Sequence, residues 1–188
     1  MDNPDRQKRK RLIAAGSVIV PLLFIGGYVI ERQIAPYSNY PAGTPLLYDD
    51  FEYVATKAER TSQIGSKSAP TGQTFVIVDV RLNNKAKRVD FTFKPEDVTP
   101  YTVDGRPLAP DPDSQGVLDS LVTALGTKVK ATLAAGDSET YRLVFLAPSD
   151  ITEVNVRFGF GSVGTFLDNV LTGKRQVNVP VESNVLQG

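Results

Sequence analysis

Apolar and polar residues alternate along most of the chain after residue 46, which is the pattern of half-buried β-strands. In the segment 76–82 the even positions are apolar, whereas Asp79 and Arg81 are expected to face outwards. Asp104-Gly105 adds a two-residue hairpin signal. The other alternating segments are 51–55, 89–94, 101–103, 141–145, 154–160 and 177–181. Short strands separated by turn signals predict an all-β fold, an antiparallel β-sandwich over residues 46–188.

One stretch after the midpoint has helical rather than strand spacing. Its apolar residues, from Val117 to Leu125, predict a short helix or a packed loop. The Pro-, Asp- and Gly-rich residues 109–116 before it predict a loop. Because the apolar residues of 109–126 and 159–173 have no place in the strand pattern, these two loops are the predicted partner-contact surfaces. The predicted contact residues are Val117, Leu118, Leu121, Phe160, Val163, Phe166 and Leu167.

The first 30 residues have a different pattern. Residues 12–30 are uncharged, and a helix of that length spans about 28 Å, close to the hydrocarbon thickness of a bilayer. Residues 1–11, which precede it, contain five basic and two acidic residues. These features predict a basic cytoplasmic tail at residues 1–11, one transmembrane helix at residues 12–30, and a remainder on the outer side of the membrane. A cleaved signal peptide is the alternative, although the run is long for one and lacks a small-residue cleavage site.

The predicted span contains four residues with a potential role in helix contacts. The ring of Pro21 would clash with the carbonyl of Ser17 and bend the helix. Gly26 and Gly27 would allow a second transmembrane helix to approach closely. A bend that serves no contact is the alternative interpretation, since membrane helices tolerate proline. The residues 31–45 that follow contain three prolines and predict an extended spacer between the bilayer and the sandwich.

The composition excludes several functions. The chain has 21 basic and 21 acidic residues and no Cys, His or Trp. Without Cys and His it has no disulfide, no thiol or imidazole catalyst, and no zinc, haem or iron–sulfur ligands of the usual kinds. The part of the chain after residue 30 is weakly acidic, which argues against nucleic acid as a partner. We therefore expect no cofactor and no small-molecule substrate, and we expect that the protein is not an enzyme.

The segment 111–119 resembles the start of a calcium-binding loop. Asp111, Asp113, Gly116 and Asp119 stand at the first, third, sixth and ninth positions of such a loop. The twelfth position requires a bidentate Glu, but Val122 stands there. A solvated acidic loop is the alternative, and the sequence does not decide between the two.

Two other motifs point weakly to chemistry. Residues 159–164 match the spacing G-x-G-x-x-G, but too little chain follows for a nucleotide-binding domain, so a flexible turn is the better interpretation. A Ser-Lys dyad needs neither His nor Cys and remains the main route to an enzyme. Its candidates are Ser66, Ser68, Ser120 and Ser162 with Lys67, Lys128 or Lys130, and none has a recognisable nucleophile context.

Three turn and core motifs resemble a known bacterial family. A strand ends in Asn83-Asn84, a later strand follows the turn from Leu133 to Gly136, and that strand ends in the run 144–148. This pattern resembles the uncharacterised immunoglobulin-like domains of bacterial lipoproteins, which are related to the secreted mycobacterial immunoprotective antigen family. The resemblance covers about residues 75–175 and implies an Ig-like β-sandwich outside the cytoplasm, here anchored in the bacterial inner (plasma) membrane. It implies no activity, because function resides in a site rather than in a fold.

These observations predict a protein that acts by contact. The first hypothesis is an accessory or scaffolding subunit of a larger bacterial inner-membrane complex, with the lipid bilayer and other membrane-protein subunits as partners. The second is a freestanding membrane-anchored binding module for a cell-envelope glycan or a secreted protein. A groove lined by exposed aromatic residues would favour the second hypothesis.

Overall fold

The computed structural model describes residues 37–125, 129–159 and 173–183. These ranges contain thirteen strands, one 3₁₀ turn and one α-helix. The strands are β1 (Tyr37–Pro41), β2 (Leu46–Tyr48), β3 (Phe51–Thr61), β4 (Gln63–Ile64), β5 (Lys67–Ser68), β6 (Gln73–Asn84), β7 (Phe91–Thr92), β8 (Val98–Tyr101), β9 (Ala109–Pro110), β10 (Thr132–Leu133), β11 (Ser138–Pro148), β12 (Glu153–Phe158) and β13 (Lys174–Ser183). The 3₁₀ turn is Pro95–Asp97, and the helix, α1, is Pro112–Ala124.

The strands form a two-layered β-sandwich, as the alternation of apolar residues predicted. The first layer has the order β8-β12-β13-β1, and the second has the order β3-β6-β11-β9 with β2 beside β3. Strand β13 joins the layers, because its first part pairs with β12 and β1 and its last residues, from Val181 to Ser183, pair with β3. Short pairs β7–β10 and β4–β5 lie outside these sheets.

Residues from both layers fill the core between them. Val76, Val78, Val80 and Leu82 of β6 are fully buried, as their even spacing predicted. The alternating apolar residues of the partner strands meet them there: Tyr141, Leu143, Phe145, Val154, Val156, Phe158, Val177 and Val179. Tyr141 stacks on Phe93 with ring centroids 3.8 Å apart. The apolar side of each strand therefore determines which face of each layer is internal.

The outer face of the second layer carries a second apolar cluster beneath α1. Phe75 and Ile77 of β6 and Val144 of β11 point away from the main core, and Leu118 of α1 covers them together with Ile64. The helix therefore packs on the sandwich, which explains why β6 is apolar on both faces at one end and polar on its outer face at Asp79 and Arg81. The sequence predicted a helix or a loop after residue 117, and the structure has a helix.

Four details differ from the sequence-based predictions. Strand β1 already pairs with β13 from Tyr37, so residues 37–41 are part of the sandwich rather than of a spacer that ends at 45. The sandwich is not purely antiparallel, because β1 and β3 both pair with β13 in parallel. The helix begins at Pro112, inside the segment predicted to be loop. In β8 the buried residues are Val98 and Pro100, so Tyr101 lies on the outer face.

No helix within the three described ranges has the length and apolarity needed to cross a membrane. The predicted transmembrane segment 12–30, with Ser17, Pro21, Gly26 and Gly27, lies outside the described residues.

Candidate functional site

A cleft between α1 and strand β8 combines apolar and charged residues. Its volume is about 560 Å³, which is within the range of small-ligand and peptide sites. Five buried apolar residues contribute to its lining: Val98, Leu108, Leu143, Val144 and Phe145. Three acidic residues also line it: Glu96, Asp111 and Asp119. No basic residue occurs among the described lining residues, so the cleft combines an apolar base with negative charge.

The local sequence explains why a helix borders this cleft. Asp111 is the N-cap residue of α1, and its carboxylate accepts hydrogen bonds from the Ser114 backbone N–H at 3.3 Å and the Ser114 hydroxyl at 2.8 Å. Pro112 occupies the first turn, where its missing N–H has no cost and its fixed φ favours the helix. The Pro- and Asp-rich composition that predicted a loop is therefore a helix start.

Gln115 ties α1 to the edge of the second layer. Its side-chain oxygen accepts a hydrogen bond from the Val144 N–H at 2.8 Å, and its side-chain nitrogen donates to the Arg142 carbonyl at 2.8 Å. Strand β9 pairs with only two residues of β11. Next to that short pairing, the Gln115 amide satisfies the β11 backbone groups that a longer edge strand would otherwise bond. The same nitrogen lies 2.8 Å from a carboxylate oxygen of Asp119. These bonds fix one wall of the cleft.

Gly116 lies on that wall, inside α1. A Cβ atom built on it meets no other atom within 4 Å. Glycine in a helix interior costs stability relative to alanine, and the backbone here does not require it. Its lack of a side chain keeps this part of the cleft open.

The structure describes three of the predicted partner-contact residues. Leu118 is buried beneath α1, and Val117 packs half-buried beside it, so both belong to the protein's own apolar cluster rather than to a free contact surface. The sequence analysis had not recognised the outer face of β6, which these two residues cover, as apolar. Leu121 is 45% exposed and remains available for contact. Phe160, Val163, Phe166 and Leu167 lie outside the described residues.

The other candidate motifs have ordinary structural partners where they are described. Asp113 forms an ion pair with Lys67 at 3.0 Å, and Lys130 forms one with Asp137 at 2.9 Å. The Ser120 hydroxyl donates to the Gly116 carbonyl within α1. In the described part of the chain, no three acidic side chains converge as metal ligands would. Residues 111–119, which resemble the start of a calcium-binding loop, form the N-cap and the first part of α1. Residues 160–164 of the glycine motif lie outside the described residues.

A second polar surface was missed by the sequence analysis. On the outer face of the first layer the Arg157 guanidinium carbon lies 3.8 Å from the ring centroids of both Tyr37 and Tyr101. Its Nε donates to Gln176 at 2.9 Å, and the Gln176 amide donates to Asn39 at 2.6 Å. The alternation in β12 indicated that Arg157 faces outwards, but not that two distant tyrosines enclose it.

The structure defines the class of protein. It is a β-sandwich domain with one surface helix, an acidic cleft beside that helix, and a polar face around Arg157. The chain belongs to the family DUF4352, a domain of unknown function, whose model matches residues 40–165. The comparison with curated proteins gives no match.

Solved structures with a similar fold come from several bacteria. A putative lipoprotein from Bacillus subtilis has a TM-score of 0.50 at 17% identity, covering 75% of this chain and 39% of that one. A conserved hypothetical protein from Bacillus anthracis has a TM-score of 0.49 at 12% identity, covering 62% and 87% respectively. A secreted protein from Mycobacterium tuberculosis has a TM-score of 0.45 at 14% identity, covering 78% and 98%. At these identities the likeness concerns the fold alone.

Proposed function

We propose that this protein is a single-span membrane protein without enzymatic activity, whose extracytoplasmic sandwich acts by contact. It serves as an accessory or scaffolding subunit of a larger bacterial inner-membrane complex. The cleft between α1 and β8 holds a segment of a partner subunit that carries an apolar side chain beside a basic one. The observation that carries this proposal is the pairing of a buried apolar lining with Glu96, Asp111 and Asp119 and no described basic residue.

The membrane part of the proposal rests on the sequence. Residues 12–30 are uncharged and follow a basic segment, which is the arrangement of a signal anchor. Residues 31–37 would span at most about 25 Å when fully extended, so β1 and the sandwich lie close to the outer membrane surface. The putative lipoprotein with a similar fold is consistent with this placement, since lipoproteins are also held at membranes.

A labelling experiment tests the topology. Because the chain contains no Cys, a single Cys at Val103, which is 67% exposed, gives one labelling site in the sandwich. We expect a membrane-impermeant maleimide to label this variant in spheroplasts, and to label a Cys at Asn3 only after the membrane is opened. Labelling of the Asn3 position alone in closed spheroplasts would refute the topology.

Purification with partner analysis tests the contact function. The full chain with a C-terminal tag is extracted from its own membranes in mild detergent, and co-purifying proteins are identified and sized. We expect a stoichiometric complex with wild type and with the control Leu125→Ala, and its loss with Gly116→Leu, which adds a bulky side chain to the wall of the cleft. A strictly monomeric wild-type protein, or a complex that persists unchanged with Gly116→Leu, contradicts the proposed role of the cleft.

A further inference from the structure

The outer face of the first layer presents a guanidinium between two aromatic rings. Arg157 of β12 lies between Tyr101 of β8 and Tyr37 of β1, with its guanidinium carbon 3.8 Å from each ring centroid. Lys174 of β13 lies near the same Tyr37 ring, with its Nζ 5.3 Å from the centroid. Cation–π contacts of this kind position the cation and remove water from the faces of the guanidinium. None of these four residues lines the cleft.

Hydrogen bonds fix the guanidinium within its plane. Nε donates to the side-chain oxygen of Gln176 at 2.9 Å, and the Gln176 amide in turn donates to Asn39 at 2.6 Å. Asn39 and Gln176 are register partners of β1 and β13, so the row is anchored in the sheet itself. The side chain is therefore ordered before any ligand arrives, which reduces the entropy lost on binding.

The terminal edge of Arg157 has no counter-charge in the described part of the chain. Among the described residues no carboxylate lies within 4.0 Å of it, and its described side-chain hydrogen bond is the one from Nε to Gln176. The nearest acidic residue along β12 on this face is Glu153, whose carboxylate accepts a hydrogen bond from Asn178. Arg157 is half-buried, and a guanidinium in that setting gains most from a bidentate oxyanion on its two Nη groups.

The surroundings of that edge favour a saccharide over a bare ion. Four neighbouring strands spaced about 4.8 Å apart give a row of side chains roughly 14 Å across. The row presents the half-buried rings of Tyr37 and Tyr101 and the exposed side-chain amide of Asn39, while the buried Gln176 supports Arg157 and Asn39 from within the sheet. Amides supply donors and acceptors for hydroxyl groups, and aromatic rings supply flat apolar surface for sugar C–H groups. We propose that this face binds an acidic saccharide, with a uronic carboxylate on the terminal edge of Arg157.

Calorimetric titration of the full chain tests this assignment. The protein is kept in a polyoxyethylene detergent, because maltoside detergents carry sugar headgroups. The titrants are a galacturonate tetramer, its methyl ester, inorganic phosphate, and phosphatidylglycerol dispersed in micelles of the same detergent. We expect the tetramer to bind wild type, and the methyl ester to bind at least about tenfold more weakly, because it lacks the charge that strengthens the hydrogen bonds.

Two arginine variants separate the site from general charge. Arg157→Gln should weaken tetramer binding about tenfold or more, whereas the control Arg81→Gln, at an exposed Arg on the outer face of β6, should leave it within about twofold. Arg157→Lys keeps the charge but not the bidentate geometry and should fall between wild type and Arg157→Gln. Thermal melts check that each variant folds. If a variant does not fold, the comparison of the tetramer with its methyl ester on the wild-type protein still tests whether the carboxylate is recognised.

Three results would contradict the proposed saccharide site. Equal losses with Arg157→Gln and Arg81→Gln, or equal affinity for the acid and its ester, overturn the site. Arg157-dependent binding of phosphate or of phosphatidylglycerol without binding of the tetramer overturns the saccharide assignment. Because these residues lie outside the cleft, Gly116→Leu should leave tetramer binding unchanged, so failure here is distinguishable from failure of the contact function.

Discussion

Gly116 gives the sharpest test of how α1 and the cleft are related. It is an interior residue of a helix of 13 residues, it lines the cleft, and a Cβ atom added to it meets nothing within 4 Å. Its φ lies outside the left-handed region, so an L-residue fits without strain. Replacing it should therefore improve the helix while reducing the space available in the cleft. Stability and partner binding should move in opposite directions.

The magnitude follows from helix propensity. Gly→Ala inside a helix stabilises by about 0.5–1 kcal/mol. For a domain of this size that free energy corresponds to a rise in Tm of about 1–4 °C. Gly136 is the matched control, because a Cβ atom there also meets nothing within 4 Å but its φ is +85°. Gly136→Ala should instead destabilise by about 1 kcal/mol or more, since its backbone conformation strains an L-residue.

The assay is chemical denaturation of both alanine variants, followed by partner purification with Gly116→Leu. We expect the midpoint to rise with Gly116→Ala and to fall with Gly136→Ala. We expect Gly116→Leu to fold at least as stably as wild type and to lose its partner. A drop in stability with Gly116→Ala comparable to that with Gly136→Ala would refute the account of an open cleft beside an unstrained helix.

Three further predictions concern the core and its charges. Leu118→Ala should destabilise the protein by about 2–3 kcal/mol, because it removes a buried side chain. The Leu125 side chain is 84% exposed, so Leu125→Ala should change stability by less than about 0.5 kcal/mol. Equal losses of stability in chemical denaturation would contradict the packing of α1. A hydrogen bond from Lys85 holds the pKa of the Glu52 carboxyl below its ordinary value near 4.5. The ionised carboxylate therefore stabilises the folded protein above that value, and this stabilisation is lost as pH falls through the lower pKa of the folded state. Denaturation midpoints measured across pH 2–6 should show the loss in wild type and less of it in Glu52→Gln. Burial raises the pKa of Tyr141 to about 12, so stability should fall as pH rises from about 10 through that value, and absorbance titration at the tyrosinate band should lose a late-titrating group in Tyr141→Phe.

The strands were predictable because burial on one face imposes a period of two. Val76, Val78 and Val80 alternate with residues that face outwards, and all three are fully buried. A turn at Asp104-Gly105 was also predictable, and Gly105 has a φ of +84°, a conformation that glycine adopts readily. The loop has three residues rather than the predicted two, because the Thr102 N–H pairs with the Arg106 carbonyl. Signals of this kind are local, so the sequence contains them directly.

The remaining features depend on contacts between distant segments. Residues 37–41 have almost no apolar character, and only pairing with β13, far along the chain, makes them a strand. Leu118 could be assigned to the core only once Phe75 and Ile77 were known to face the helix. The enclosure of Arg157 requires residues from three strands, 37, 101 and 157, which no sequence window contains together. Tertiary pairing, not local preference, determines these positions.

Site-specific photo-crosslinking in native membranes tests the central claim most directly. A photoreactive residue replaces exposed Glu96 at the cleft, and a control variant carries the same residue at Val103, which is 67% exposed. The account predicts one discrete cross-linked product from position 96, abolished when Gly116→Leu is added, and no such product from position 103. No product from position 96, or the same products from both positions, would contradict a contact function that resides in the cleft.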